Sequence, residues 1–237
     1  MRAAILAGGR GTRLLPYTTV LPKPLVPVGD RPILELILRQ LAAAGFTSVD
    51  LCVGHLGELI RAYFTEAADA AAGLELRYVY EEEPLGTAGA IKTLEAPDGP
   101  LLVMNGDILS DIDYRELIEF HSESGAALTI ASHSRNVDID LGIIEGDDGV
   151  VTGYVEKPTL SYEVSMGIYV YSAAAVDAIP VGRFDLPDLV WRMLELGLPV
   201  RKYRFGGSWF DIGTAGQLEL ANGAFAADPG LFLPAGS

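Results

Sequence analysis

The sequence predicts a doubly wound α/β fold: a mostly parallel, Rossmann-like sheet with an inserted β-rich subregion. Three observations lead there. The first half alternates short apolar runs with segments of helical periodicity, the pattern of successive strand–helix units. The second half is richer in short alternating segments separated by polar turns. With 237 residues, 49% of them hydrophobic, residues 1–237 can build one substantial core without a second domain.

The elements follow in order. AAILAG (3–8) is a fully apolar strand that runs into glycines. Residues 32–44 repeat apolar side chains with a helical period, with Pro32 at the start and Gly45 just past the end. VDLCVG (49–54) is the next strand, residues 56–66 a helix, and LELRYVY (74–80) an alternating strand. A short helix near 87–93, the strand LLVMN (101–105) and a helix over 114–124 close the first half. ALTIASH (127–133), GIIEG (142–146), VVTGYVE (150–156) and SMGIYVY (165–171) read as strands. Residues 185–196 read as a helix, 199–205 as a strand and 214–227 as a closing helix, with the tail DPGLFLPAGS a loose end. Ligands of such sheets bind beyond the carboxyl ends of the strands. Gly8 to Arg13, Glu81 to Thr87 and Asn105 to Asp107 all follow strands and are expected to meet there.

Composition narrows the function. A net charge of −15 argues against nucleic-acid binding. No apolar run approaches the roughly 20 residues that span a bilayer, and MRAAILAGGRG lacks the apolar region and cleavage site of a signal peptide. A cytoplasmic protein without a membrane partner is expected. Cys52, the only cysteine, lies in an apolar segment and reads as a buried structural thiol. Residues 1–31 are basic within this acidic chain, with Arg2, Arg10, Arg13, Lys23 and Arg31 against Asp30 alone.

The run LAGGRGTRLLPYTTVLPKPLVPV carries the most information. Glycines 8, 9 and 11 permit positive φ and let backbone N–H groups approach phosphate oxygens. It is neither of two common phosphate loops. No G-x-x-x-x-G-K-[ST] sequence occurs, and Pro16 and Pro22 bar the long helix that should follow a dinucleotide turn.

GGRGTRLLPYTTVLPKPLVPV resembles the signature of the sugar-1-phosphate nucleotidyltransferases, with its G-G-x-G-T-R-L-x-P and P-K-P-L elements. Further landmarks occur in that family's order: PLGTAGA (84–90), NGD (105–107), VEKP (155–158), MGIY (166–169) and WFDIGT (209–214). The resemblance covers nearly the whole chain. It implies that a nucleoside triphosphate and a sugar 1-phosphate are joined into a nucleotide sugar, with release of pyrophosphate. Residues 1–125 would mainly hold the nucleotide and residues 126–227 mainly the sugar phosphate. The family's frequent C-terminal β-helix of hexapeptide repeats is not expected here, and a homo-oligomer is in keeping with the family.

In that reaction an ionised sugar phosphate attacks the α-phosphorus in line, so positioning and electrostatic stabilisation dominate, with little need for a general base. His55, His121 and His133 are scattered without metal-ligand spacing and read as ordinary surface or core residues. By resemblance, Leu6, Ala7, Gly8, Gly9, Gly11 and Thr12 hold the nucleotide, together with Glu81, Pro84, Gly86, Thr87 and Gly106. Arg13 would clamp the β- and γ-phosphates, and Lys23, aimed by Pro22 and Pro24, would sit near the transferred phosphoryl group. Asp107 and Asp211 match the residues that hold Mg²⁺, which takes a carboxylate or two plus phosphates and waters. Either aspartate alone could instead cap a helix. Lys157 matches the residue that grips the sugar phosphate, Glu156 one that binds sugar hydroxyls, and Gly142 and Gly167 positions whose backbone faces the sugar.

EEEPLGTAGA (81–90) matches the region that packs on the base. Where thymidylyl- and many uridylyltransferases often carry Gln, this chain has Glu81, whose carboxylate can accept from the N1–H and N2–H₂ edge of guanine. EEPLGTAG also resembles mannose-1-phosphate guanylyltransferases and related heptose-phosphate enzymes. GTP with mannose 1-phosphate, or a similar hexose or heptose 1-phosphate, is therefore the expected pair, with dTTP or UTP and glucose 1-phosphate the alternative. Two rivals remain. A glycosyltransferase would use Asp111-Ile112-Asp113 or Asp138-Ile139-Asp140 as a metal motif but would not need the glycine loop with Arg13 and Lys23. A non-catalytic relative would be expected to have lost phosphate- or metal-binding residues.

Overall fold

The computed structural model describes residues 1–233. Strand β1 (Arg2–Ala7) leads into three short 3₁₀ turns. The two-residue strands β2 (Pro27–Val28) and β3 (Arg31–Pro32) and helix α1 (Ile33–Ala43) follow. Next come β4 (Ser48–Val53), α2 (Gly57–Glu66), β5 (Glu75–Tyr80) and α3 (Gly86–Lys92). The first half ends with β6 (Leu101–Asn105), β7 (Ile108–Ser110) and α4 (Tyr114–Glu123). The second half runs β8 (Leu128–Asp138), β9 (Ile143–Asp147), β10 (Val150–Val155), β11 (Thr159–Tyr171) and α5 (Ala173–Asp177). It closes with α6 (Leu186–Glu195), β12 (Val200–Phe205), β13 (Trp209–Asp211) and α7 (Ala215–Ala227).

Seven strands form the main sheet in the order β12-β8-β11-β6-β1-β4-β5. Every neighbouring pair is parallel except those of β11, which runs antiparallel to both β6 and β8. Side-chain alternation divides the apolar residues between two cores. Ala3, Ile5, Leu102 and Met104 face α1, α2, α4 and α7, while Ala4, Leu101 and Val103 face α3, α5 and α6. The fold is thus doubly wound, as the sequence predicts. From β1 the chain proceeds to β4 and β5, then crosses back to β6 on β1's other side. That reversal opens a crevice at the carboxyl ends of β1 and β6.

Helix α1 shows why its residues form a helix in this place. Ile33, Leu34, Leu36, Ile37, Leu38 and Leu41 are each 0% exposed, each contributing about 1.5–3 kcal/mol of burial. A helix apolar on most of its circumference is stable only when enclosed. The turns Lys23–Leu25 and Ala68–Ala71 pack against it.

Four features depart from the sequence expectation. Strands β8 and β11 run past their apolar segments, pairing Thr159 with Asp138 through Ser165 with Ser132. Leu160, Tyr162 and Val164 alternate along the β11 side of this exposed ribbon, whereas the β8 side, Ser134 to Asp138, is polar but for Val137 and is held by ladder hydrogen bonds. Strand β7 and helix α5 are too short to carry a period. The tail is not loose over its first part: Pro229–Leu231 forms a 3₁₀ turn capped by Asp228. Phe232, 1% exposed, stacks edge-on against Phe210 at 5.9 Å. The end of that segment, residues 234–237, lies outside the described residues. Among the described residues no helix is long and apolar enough to cross a membrane.

Candidate active site

A cavity of about 550 Å³ opens in the crevice, and the ends of four parallel strands supply its wall. Leu6, Ala7, Gly8, Gly9 and Arg10 come from the end of β1, and Gly54 and His55 follow β4. Glu81, Glu82, Pro84, Gly86 and Thr87 follow β5, Asn105, Gly106 and Asp107 follow β6, and Lys23 and Pro24 close one side. The three segments expected to meet do so. Gly11 and Thr12 are not on this wall. Gly11 turns the chain at φ 61°, and a Cβ there would stand 2.8 Å from Thr18 Cγ2. The Thr18 hydroxyl donates to the Gly11 carbonyl at 2.8 Å. The predicted lack of a long helix after the loop holds, since the turns Thr12–Leu14, Tyr17–Thr19 and Lys23–Leu25 take its place.

Glu81 lies across the cavity. Its Oε2 accepts from the Leu85 N–H at 3.0 Å, and its Oε1 would be 3.0 Å from a Cβ at Gly8. The glycines of PLGTAG also have a packing reason. A Cβ at Gly86 would stand 2.6 Å from both Asp185 Oδ1 and the Phe184 carbonyl. The Thr87 hydroxyl accepts from the Leu186 N–H at 2.8 Å, so Thr87 caps α6 while its neighbours line the cavity.

Strands β7 and β13 pair antiparallel, setting Asp211 opposite Ile108, the residue after Asp107. The Ile212 N–H donates to the Asp107 carbonyl at 3.0 Å and fastens the two segments. Lys23 forms an ion pair with Asp107 Oδ2, while Asp107 Oδ1 is buried without a hydrogen-bond partner. Burial, and then the charge of Asp107, raises the Asp211 pKa above its ordinary value against the opposing pull of Lys23, Arg13 and Arg135. An orphaned carboxylate oxygen near a carboxylate reluctant to ionise suits a divalent cation. Neither aspartate caps a helix; Thr214 caps α7. Among the described residues no three His, Cys, Asp or Glu side chains could hold a metal together. Two carboxylates completed by phosphate and water are the set Mg²⁺ accepts.

The remaining basic residues of the N-terminal segment divide. Arg2 pairs with the buried Asp50 at 2.6 Å and Arg31 with Glu35 at 2.6 Å. Burial pushes the Glu35 pKa up, but hydrogen bonds from Tyr63, Arg31 and Arg39 outweigh it and hold the carboxyl below its ordinary value. Arg2 and Arg31 therefore serve the fold. Arg13 lines a second cavity of about 460 Å³ with Asp211, His133 and Arg135.

Gly142, Glu156 and Lys157 lie on or beside the β9–β10 hairpin and line neither cavity. A Cβ at Gly142 would collide with the Tyr154 hydroxyl, which donates to Glu156 at 3.0 Å. Lys157 holds φ 43° and pairs with Asp140 at 3.0 Å. Gly167, at φ 77° in the β11 bulge, lies against Asn105, where a Cβ would stand 2.8 Å from Nδ2.

The Asp-x-Asp pairs have structural partners. Asp111 accepts from the Ser208 N–H at 2.7 Å and Asp113 caps α4. Asp138 accepts from the Thr159 hydroxyl at 2.6 Å. His121 fits the plain reading: it is buried, its ring bonds Thr129 at 2.9 Å, and burial lowers its pKa. Of the other two, exposed His55 lines the first cavity and half-buried His133 the second. Those two, Gly54 and Arg135 are wall residues to which the sequence reading gives no role; Gly54 and His55 follow the end of β4, while His133 and Arg135 lie inside β8.

A sequence model of the family described as nucleotidyl transferase matches residues 2–227. A UTP–glucose-1-phosphate uridylyltransferase of Synechocystis sp. is 33% identical over 235 residues, covering 90% of this chain and 60% of that protein. A mannose-1-phosphate guanyltransferase of Candida albicans is 32% identical over 222 residues, covering 90% and 61%. The chain thus spans about 60% of the length of these curated relatives. The crystal structure of HddC from Yersinia pseudotuberculosis complexed with GMP-PN is similar with a TM-score of 0.73 at 26% identity. That match covers 94% of this chain and 99% of the other.

Proposed function

The chain belongs to the nucleotidyl transferase family, and from that premise we propose that it is a sugar-1-phosphate nucleotidyltransferase releasing pyrophosphate. One observation carries the reading: the glycine loop, Lys23 and the Asp107–Asp211 pair converge at the strand ends around one crevice.

In this reading residues 1–125 mainly hold the triphosphate and base. The backbone of Gly8, Gly9, Gly11 and Thr12 cradles phosphate, with Leu6, Ala7, Pro84, Gly86, Thr87 and Gly106 completing the pocket. Asp107 and Asp211 hold Mg²⁺, which when bound supplies positive charge to the phosphoryl oxygens. Lys23 is fixed at the mouth by Asp107 and carries its charge to the transferred phosphoryl group. Arg13 neutralises the departing pyrophosphate. Residues 126–227 mainly hold the sugar phosphate. Glu156 meets sugar hydroxyls, the backbones of Gly142 and Gly167 face the ring, and Lys157 exchanges Asp140 for the phosphate.

The nucleotide in this proposal is GTP and the sugar mannose 1-phosphate. Glu81 favours guanine because its carboxylate is held in the cavity by Leu85 and can accept from two guanine donors, where uracil offers one. The Candida guanyltransferase and the HddC complex with GMP-PN point the same way. The Synechocystis relative favours a second reading, UTP with glucose 1-phosphate. Pyrophosphate release with Mg²⁺ across five NTPs and a panel of sugar 1-phosphates tests both. Preference for GTP and mannose 1-phosphate is expected. Preference for UTP or dTTP overturns the base assignment, and silence from folded protein overturns the activity.

A further inference from the structure

The second cavity has a composition at odds with the chain around it. The chain carries 32 carboxylates against 17 Lys and Arg, an acidic balance overall. Arg13 and Arg135 share this wall, and among the described residues neither makes a side-chain hydrogen bond or ion pair. Asp211 is the only carboxylate on the wall, and both arginines are near enough to pull its pKa down.

The surroundings hold this arrangement in place. Arg135 lies on the polar extension of β8, paired with Tyr162 of β11. The His133 ring lies 5.5 Å from that of Trp209 and hydrogen-bonds the Gly207 carbonyl at 3.0 Å, forming one wall. A Cβ at Gly213 would stand 3.2 Å from Arg13 Nη2 and 3.4 Å from Asp211 Oδ1, so the guanidinium and the carboxylate both lie close to this glycine. Asp107 lines the first cavity and Asp211 the second, which makes the carboxylate pair their common boundary.

We propose that this second cavity is an anion subsite for the departing pyrophosphate, in which Arg135 acts with Arg13. The inference rests on the nucleotidyltransferase reading. The sugar-phosphate oxygen gives an electron pair to the α-phosphorus, and the bond from that phosphorus to the bridging oxygen breaks. The bond's electron pair leaves with pyrophosphate. That product leaves with the charges of the β- and γ-phosphates and of the bridging oxygen, and emerges at the Arg13 end of the glycine loop. Two guanidinium forks match its oxygens in charge and geometry. The sugar phosphate is the other candidate anion, and the test separates the two.

The test uses Arg135→Gln in the whole chain. The assays measure KM for inorganic pyrophosphate in the reverse reaction, KM for the sugar 1-phosphate in the forward one, and pyrophosphate binding by calorimetry with Mg²⁺. The pyrophosphate KM is expected to rise about tenfold or more with the sugar-phosphate KM unchanged and partial rescue in Arg135→Lys. An unchanged pyrophosphate KM in active enzyme overturns the proposal, as does a rise confined to the sugar phosphate. If the unaltered protein does not turn over, the functional reading fails instead. The calorimetric loss of pyrophosphate binding in Arg135→Gln then still decides for the subsite, and equal binding decides against it.

Discussion

Replacing Gly54 with Ala adds one methyl group behind the glycine loop without changing any charge. A Cβ built there would stand 2.9 Å from the Gly8 carbonyl oxygen and 3.2 Å from the Gly8 Cα. Comfortable contact begins near roughly 3.4 Å, so the loop or the β4 turn must yield by about half an ångström. Overpacking of this kind costs about 1–3 kcal/mol, offset by about 0.4–1 kcal/mol from a stiffer unfolded chain. For a domain of this size the melting temperature should fall by a few degrees, at roughly 2–4 °C per kcal/mol. The catalytic effect should be larger. Misplacing a site by about 1 Å can cost roughly 10²-fold, so half that shift should lower kcat/KM for pyrophosphate release about tenfold. Thermal unfolding and steady-state turnover, measured on the same preparation, separate the two effects. A folded Gly54→Ala protein with unaltered kcat/KM would refute the idea that loop position governs the reaction.

Three further outcomes follow from the same geometry. Burial raises the folded-state pKa of Asp211 above its value in the unfolded chain, so its ionisation costs stability at neutral pH, a cost that fades as pH falls toward the unfolded value. Asp211→Asn should therefore raise the melting temperature of metal-free protein at pH 7, and the gain should shrink near pH 4; a lower melting temperature would contradict this. Glu81→Gln keeps an oxygen for the Leu85 N–H but loses the charge, and should cut the kcat/KM preference for GTP over UTP about tenfold. An unchanged ratio would remove Glu81 from base selection. The thiol of Cys52 is 0% exposed and pushed up to about 12, chiefly by burial and then by Glu81 and Asp50. A thiol reagent at pH 8 should label the protein only after denaturation, and rapid labelling of native protein would contradict that placement.

The main elements were legible because each carries a period or an unbroken apolar run. AAILAG and LLVMN are apolar throughout and form central strands, and residues 32–44 show a buried helix bounded by Pro32 and Gly45. The glycine loop, Glu81 and Asp107 were legible as a site because each follows a strand, and parallel strands bring such loops to one edge. Proximity created by short pairing was legible only through the family resemblance, not from the residue pattern. Nothing in Ile108–Ser110 or Trp209–Asp211 announces that these three-residue strands join, yet that pairing brings Asp211 to Asp107. Arg135 was hidden for a related reason. It lies on the mostly polar β8 strand of the ribbon, Ser134 to Asp138, where hydrophobic patterning carries little signal.

Following the phosphorus atoms tests the central claim most directly. GTP labelled at either its α- or its γ-phosphate is incubated with mannose 1-phosphate and Mg²⁺, and the products are separated. The account predicts the α-label in a nucleotide sugar and the γ-label in pyrophosphate, in equal amounts, with both signals lost in Asp107→Asn. Label from the γ-position in orthophosphate or on the sugar, with none from the α-position in a nucleotide sugar, would mean that the α-phosphorus is not attacked, and would contradict the account.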